Sequence, residues 1–372
     1  MRQLPFKATL LAFAVFCATA QAADLKIGVA EALSGGAAQY GVAIRNGLEL
    51  AADEINAAGG INGNKIQLIV ADEQGKKEEA INVFKKLIFQ DQVLMVFGPT
   101  LSNSAQAGDP IAQAGKTVAF GTSNTADGIT SIGDYVFRNS VTEADVLPET
   151  IKIAVKKAGI TKVAVLYGND DVFTKSGYDN FKKALDDLKI PVTTTETFAK
   201  GDVDFKAQLT KIKASGADAI VLSALLAEGA PIMVQARQLG LAVPFIGGNG
   251  MNSAKVFDLA KGQSDNLYVG SPWSLSNATP ENVKFIKGYN DKYKVAPDQF
   301  AAQAIKTVKL SGTLAADRTA LRDALPAVKW TGATGAFQFR RATDKAGKPA
   351  GYDAQQVPIV SVTKGAEFVI EK

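Results

Sequence analysis

The chain has 372 residues, 47% of them hydrophobic and 21% charged, with 13 prolines, a balance that excludes a disordered or fibrous protein and gives enough length for two globular domains. Its 41 Lys and Arg against 37 Asp and Glu give a formal charge of +4, and histidine is absent, which excludes a basic nucleic-acid footprint, a Ser-His-Asp triad, a Cys-His pair and an imidazole-ligated metal. The single cysteine, Cys17, falls in an N-terminal segment read next as removed, so the processed chain is expected to carry no thiol nucleophile, disulfide or thiolate metal site.

Residues 1–22 have the pattern of an export signal. Arg2 and Lys7 precede the apolar run Ala8 to Ala18, and Ala20-Gln21-Ala22 supplies small residues around a cleavage point. Cleavage after Ala22 makes the mature chain an exported, diffusible protein, for which the resemblance given below implies the periplasm, and, by loss of two cations, lowers its charge to 4 − 2 = +2. The run is shorter than the ~20 residues of a spanning helix, and Asp24 follows at once. Bulky Phe16 before Cys17 is unlike a lipoprotein site.

From Leu25 onward short β-branched runs alternate with longer amphipathic stretches, the pattern of parallel sheets covered by helices. The expected strands are Leu25 to Ala30, Lys65 to Ala71, Val93 to Gly98, Thr117 to Gly121, Lys162 to Tyr167, Val192 to Phe198, Ala217 to Ser223, Pro244 to Gly247 and Asn266 to Gly270. Between them, apolar residues recur at helical spacing: Ile44, Leu48, Ala51 and Ile55; Leu147, Ile151, Ala154 and Ala158; Tyr178, Phe181, Leu185 and Leu188; Ile232, Ala236 and Leu239. Two β-α blocks result, Leu25 to about Asn139 and Val141 to about Ser271. The chain after Pro272 is too short and too mixed for a third and must complete the first two. Repeated crossing between two α/β lobes implies a hinge and a cleft at strand C-termini.

Two loops have the chemistry of a carboxylate site. Pro99-Thr100-Leu101-Ser102-Asn103-Ser104 leads into a helix expected from Ala105, and Gly121-Thr122-Ser123-Asn124-Thr125 follows the next strand. Each offers hydroxyls and backbone N–H groups. One such loop is ordinary capping; two from neighbouring strands make an anion-binding shelf.

These features resemble the periplasmic substrate-binding proteins of ABC importers of the leucine/isoleucine/valine-binding type. The resemblance rests on Lys26-Ile27-Gly28-Val29, Leu33-Ser34-Gly35-Gly36, Gln39-Tyr40-Gly41, Asp53-Glu54-Ile55-Asn56-Ala57-Ala58-Gly59-Gly60-Ile61-Asn62-Gly63, Gly98-Pro99 with Ser102, and Gln235-Ala236-Arg237-Gln238-Leu239-Gly240. It implies an α/β fold of two Rossmann-like lobes, each a mostly parallel sheet flanked by helices and joined by a multi-strand hinge, with lobe I at 23–140 plus 272–351 and lobe II at 141–271 plus 352–372. The implied function is a non-enzymatic receptor without cofactor, a monomer, closing on a branched-chain or other hydrophobic amino acid and delivering it to membrane permease subunits. Carried over, Ser102, Ser123 and Thr125 hold the α-carboxylate and part of the ammonium group, Tyr40 borders the pocket, Phe173 (or Val172) closes it, and Leu225 stands where an aromatic is common. Leu101, Asn124 and Asn249 complete the implied ligand-facing set.

The sequence also departs from that pattern. Asn249 stands where amino-acid-binding members often have a glutamate facing the ammonium, and a neutral amide supplies no countercharge. Either Asp170 or Asp171 restores the charge, or the ligand is an aromatic or keto acid without an ammonium. Leu101 and Gln74 replace a disulfide found in some members, and the segment Gln303 to Ser311 is shorter than usual. A sensor of the same kind, or a secreted hydrolase using Asp170, Asp171 or Glu228 as acid and base, are the alternatives weighed. Trp273 lies close enough to the hinge to report closure.

Overall fold

The structure is a computed structural model that describes residues 24–304 and 317–371; the export segment and the part of the shortened stretch from Ile305 onward lie outside the described residues. Two sheets organise the chain. In the first, β1 (Leu25–Glu31), β2 (Ile66–Asp72), β3 (Met95–Phe97), β4 (Val118–Gly121) and β5 (Val136–Arg138) pair in parallel in the order β2-β1-β3-β4-β5. In the second, β6 (Val163–Gly168), β7 (Val192–Phe198), β8 (Ala219–Ser223), β9 (Phe245–Gly247) and β10 (Leu267–Ser271) pair in parallel in the order β7-β6-β8-β9-β10.

The residues after Pro272 complete both sheets. β11 (Trp330–Gly332), β12 (Gly335–Thr343) and β13 (Pro349–Gln355) extend the first beyond β5, and β14 (Ile359–Lys364) with β15 (Glu367–Glu371) extends the second beyond β10 as antiparallel strands. The chain therefore passes between the sheets three times. All nine expected strands are present, with ends displaced by two residues at most. β5 was not anticipated: three residues carry too little periodicity to stand out.

Helices cover the sheets with the stripes read from the sequence. In α1 (Ala38–Ala57) Ile44, Leu48 and Ala51 are buried. In α4 (Glu143–Ala158) Leu147, Ile151 and Ala154 are buried, but Ala158 is exposed because the helix stops there at Gly159, whose φ of 65° closes it. Phe181 and Leu185 of α5 (Val172–Asp187) and Ile232 and Ala236 of α7 (Leu226–Gln238) are likewise buried. Leu188, just past α5, is 40% exposed. α3 spans Ser102–Ala114 and so starts three residues before the expected Ala105, which makes Ser102 its first residue.

A buried ion pair ties the outer strands of the first sheet to its parallel core. Arg138 at the end of β5 is 1% exposed; its Nε donates to Asp353 Oδ1 on β13 at 2.6 Å and its Nη1 to the Ala126 carbonyl at 2.7 Å. The Thr130 hydroxyl also donates to Asp353 Oδ1, at 2.8 Å.

Candidate functional site

In each sheet the strand order reverses about one strand, β1 in the first and β6 in the second, and open α/β sheets leave a crevice beyond the C-terminal ends of strands at such points. A small cavity of about 20 Å³ lies there, between the two sets of strand ends. The first sheet contributes Tyr40 from the start of α1, Thr100, Leu101 and Ser102 after β3, and Ser123 and Asn124 after β4. The second contributes Phe173 after β6, Leu225 after β8, and Asn249 and Gly250 after β9; Phe300 from the helical residues 299–304 closes one side. Among the described residues, none that lines the cavity is charged.

The loop after β3 needs its glycine. Gly98 has φ +112°, and a Cβ there would lie 2.1 Å from the Ala30 carbonyl oxygen. That close approach brings Thr100 and Ser102 against the end of β1. The loops then fasten one another: the Ser123 hydroxyl donates to the Thr100 carbonyl at 2.5 Å, Asn124 Nδ2 donates to the Pro99 carbonyl at 3.0 Å, and Ala126 N donates to Ser102 Oγ at 3.3 Å.

Contacts cross from one sheet's loops to the other's. The buried Tyr40 hydroxyl donates to the Gly250 carbonyl at 2.7 Å and accepts from Leu226 N at 2.8 Å. Asn249 Nδ2 donates to the Ser123 carbonyl at 3.2 Å, and Gln299 Nε2 donates to Asn249 Oδ1 at 2.5 Å. Asn103 donates to Asp171 Oδ2 and accepts from Val172 N at 2.9 Å.

Eight of the nine residues expected to face a ligand line this cavity: Tyr40, Leu101, Ser102, Ser123, Asn124, Phe173, Leu225 and Asn249. Of the two residues weighed for the closing position, Phe173 lines the cavity and Val172 does not. Thr125 does not line it. Its hydroxyl donates instead to Glu143 Oε1 at 3.3 Å. The carboxylates considered as countercharge, Asp170 and Asp171, and Glu228, weighed with them as hydrolase acid or base, are also committed elsewhere. Asp170 accepts from Lys200 N at 3.0 Å, Asp171 Oδ1 caps α5 through the N–H groups of Phe173 and Thr174 at 2.9 and 3.1 Å, and Glu228 accepts from Gly201 N at 3.0 Å. None of the three lines the cavity.

Sequence reasoning missed Phe300 and a layer of buried carboxyls. Phe300 packs on Tyr40 with ring centroids 4.9 Å apart. Its legible signal was Asp298, which caps the following turn by accepting from Phe300 N and Ala301 N. Glu31 and Glu73, at the ends of β1 and β2, are fully buried, as is Glu143 at the start of α4. Burial pushes Glu31 up to about 8, against hydrogen bonds from Thr100 and Thr122, and pushes Glu73 and Glu143 up to about 7.

Those carboxyls give a pH prediction. Each titrates near 4.5 when unfolded and higher when folded, so above 4.5 the folded chain binds more protons than the unfolded one and stability falls as pH rises toward 7 and 8. The thermal midpoint should be several degrees higher at about pH 5.5 than at about pH 8.5, and Glu143→Gln should reduce that difference; a midpoint that rises across this range contradicts the assignment.

Comparison with known proteins agrees with the geometry. A family model described as "Periplasmic binding protein" matches residues 24–366. The chain is 29% identical over 301 residues, 78% of each chain, to an amino acid binding protein of Pseudomonas aeruginosa. It is 30% identical over 250 residues, 67% of each, to a Leu/Ile/Val-binding protein of Rhizobium johnstonii. Its fold superposes with a TM-score of 0.85 and 29% identity on a branched-chain amino acid transporter substrate-binding protein of Streptococcus pneumoniae in complex with isoleucine, covering 94% of this chain and 99% of that one. A solute-binding protein from R. palustris in complex with benzoate shares the fold at a TM-score of 0.82 and 24% identity, over 93% and 95% of the two chains.

Proposed function

Because the chain belongs to the periplasmic binding protein family, we propose that it is the exported solute receptor of an ABC importer, a monomer that closes its two lobes over a small carboxylate with an apolar body and presents it, without turnover, to membrane permease subunits. The observation that carries this reading is the uncharged cavity between the two sets of strand ends. Its hydroxyl and amide rim on one side suits a carboxylate, and Tyr40, Leu101, Phe173, Leu225 and Phe300 suit an apolar body. The proposed lobes are 23–140 with 272–355 and 141–271 with 356–372, turning about the three crossings; the expected boundary at 351 moves to the end of β13, because that strand pairs along its length within the first sheet.

Two ligand readings each have support. The names of the relatives favour a branched-chain or other hydrophobic amino acid. The walls favour an acid without an ammonium: Asn249 Oδ1 already accepts from Gln299, and Asp170, Asp171 and Glu228 are engaged away from the cavity. A buried ammonium without a carboxylate partner is costly.

A thermal-shift screen decides between them. Leucine, isoleucine, valine and phenylalanine are compared with their 2-keto acids and with benzoate. A ligand at 100 times its Kd stabilises by about 2.7 kcal/mol, a shift of several degrees. Shifts with the amino acids alone select the first reading, and shifts with keto or aromatic acids alone select the second. Small-angle scattering with the selected ligand should show a smaller radius of gyration than without it, and an unchanged radius counts against closure.

A further inference from the structure

We propose that Glu31 and Glu73 are positioning residues of the carboxylate shelf: held as neutral acids beneath Thr100 and Ser104 they keep the shelf receptive to an anion, and losing a proton there weakens capture. This rests on the reading of the cavity as a carboxylate site. Both side chains are fully buried at the C-terminal edge of the first sheet, joined through Glu73 N, which donates to the Glu31 carbonyl at 3.0 Å. Glu31 Oε2 bonds the Thr100 hydroxyl and Oε1 the Thr122 hydroxyl at 3.3 Å, while Thr100 Oγ1 also accepts from Ala32 N at 2.9 Å. Glu73 Oε2 accepts from the Ser104 hydroxyl at 2.7 Å. The two carboxyls thus hold, from below, the segment whose upper side lines the cavity at Thr100, Leu101 and Ser102.

The surroundings offer them no positive charge. Among the described residues no Lys or Arg forms an ion pair with either, and the groups packed on them are the hydroxyls of Thr100 and Thr122 on Glu31, and the Ser104 hydroxyl with the backbone N–H groups of Thr100 and Gly75 on Glu73. A further ionisable group on this side is Asp72, which accepts from Ser34 Oγ at 2.6 Å and from the N–H groups of Leu33 and Gln74. Asp72 is itself an acid, and its hydrogen bonds keep it ionised. Glu143 stands apart, at the wall formed by Thr125 and Asn249. An ionised Glu31 therefore places a negative charge in a low-dielectric layer under the groups that meet the ligand's own negative charge, where repulsion is weakly screened. Burial favours the neutral form of both acids, in agreement with the raised values given above.

The test measures affinity for benzoate and for leucine by calorimetry at about pH 6.5 and about pH 9, in the wild type, Glu31→Gln, Glu73→Gln and Glu31→Ala. Wild-type affinity for the acid that binds should fall about tenfold between the two pH values. Glu31→Gln, an uncharged mimic of the acid form, should keep the wild-type affinity at low pH and lose most of the fall, and Glu73→Gln should reduce it. Glu31→Ala removes the support and should weaken binding at both pH values. A wild-type affinity flat in pH, or a Glu31→Gln protein that falls as steeply as wild type, overturns the proposal and leaves the carboxylate reading standing. Benzamide separates the other failure: if it binds and the acids do not, the carboxylate reading falls and takes this proposal with it. Should Glu31→Gln not fold, infrared difference spectra of the wild type against Glu31→Ala answer independently, since a protonated-carboxyl band that only the wild type shows at low pH and loses at high pH supports the proposal and the absence of any such difference at low pH overturns it.

Discussion

Tyr40→Phe should weaken ligand binding by about 2–3 kcal/mol, roughly 30- to 150-fold, while changing the thermal midpoint of the ligand-free protein much less. The phenol oxygen is the meeting point of two backbone groups on the opposite lobe, the Gly250 carbonyl and the N–H of Leu226 at the start of α7. With the lobes closed, phenylalanine leaves both groups buried and unpaired. With the lobes apart, water satisfies both at little cost. The substitution therefore penalises the closed state selectively, and a ligand that draws its affinity from closure must supply the difference. Calorimetric titration beside a melting curve of the free protein reads the two quantities separately. Equal losses in stability and affinity, or no loss of affinity, contradict a role in closure.

Arg138→Met should cost about 3–5 kcal/mol of stability, the range for removing one partner of a buried ion pair, and lower the melting temperature by roughly 5 °C. The guanidinium is the cation that faces Asp353, and the Ala126 carbonyl depends on it as well. Asp109, a further buried carboxyl, feels Arg138 through space and is raised by burial even so. Without Arg138, Asp353 is left in the interior without its cation and the Ala126 carbonyl without its donor. The double variant Arg138→Met/Asp353→Leu removes the stranded acid and should recover much of the loss, since an apolar pair of similar volume often serves as well as a buried ion pair. Denaturant unfolding of the single and double variants measures this, and a single variant within about 1 kcal/mol of wild type contradicts the assignment.

The parallel strands were legible because buried β-branched runs such as Ala219–Ser223 are bounded by turns and separated by helices whose buried faces repeat every three or four residues. The strands after Pro272 were not. β12, Gly335–Thr343, mixes buried and exposed positions and includes Arg340 and Arg341 on a strand at the outer part of the sheet, where the buried-strand pattern has no reason to appear. At the candidate site, residues that follow a strand end could be read from loop chemistry and resemblance, which is why Ser102, Ser123 and Asn249 fall at the cavity. Thr125 shares that chemistry but points its hydroxyl to Glu143, a direction set by the turn and invisible in composition. The buried acids were missed for the same kind of reason. Glu31 follows a strand like any surface residue, and what buries it is the approach of Thr100 from 69 positions away.

The pairing of β5 with β13 sets a schedule for the chain as it is made. Arg138 and Asp353 lie 215 residues apart, so nearly the whole polypeptide must emerge before the open side of β5 finds its neighbour. Contacts of such separation carry a large loop-closure cost and form slowly. Until they form, the first sheet has an uncovered edge and an arginine without its acid, and an N-terminal fragment cannot lock into a finished lobe. Under the export proposed above, that delay is an advantage: a chain that must cross a membrane unfolded stays threadable until about its last forty residues arrive to close the fold.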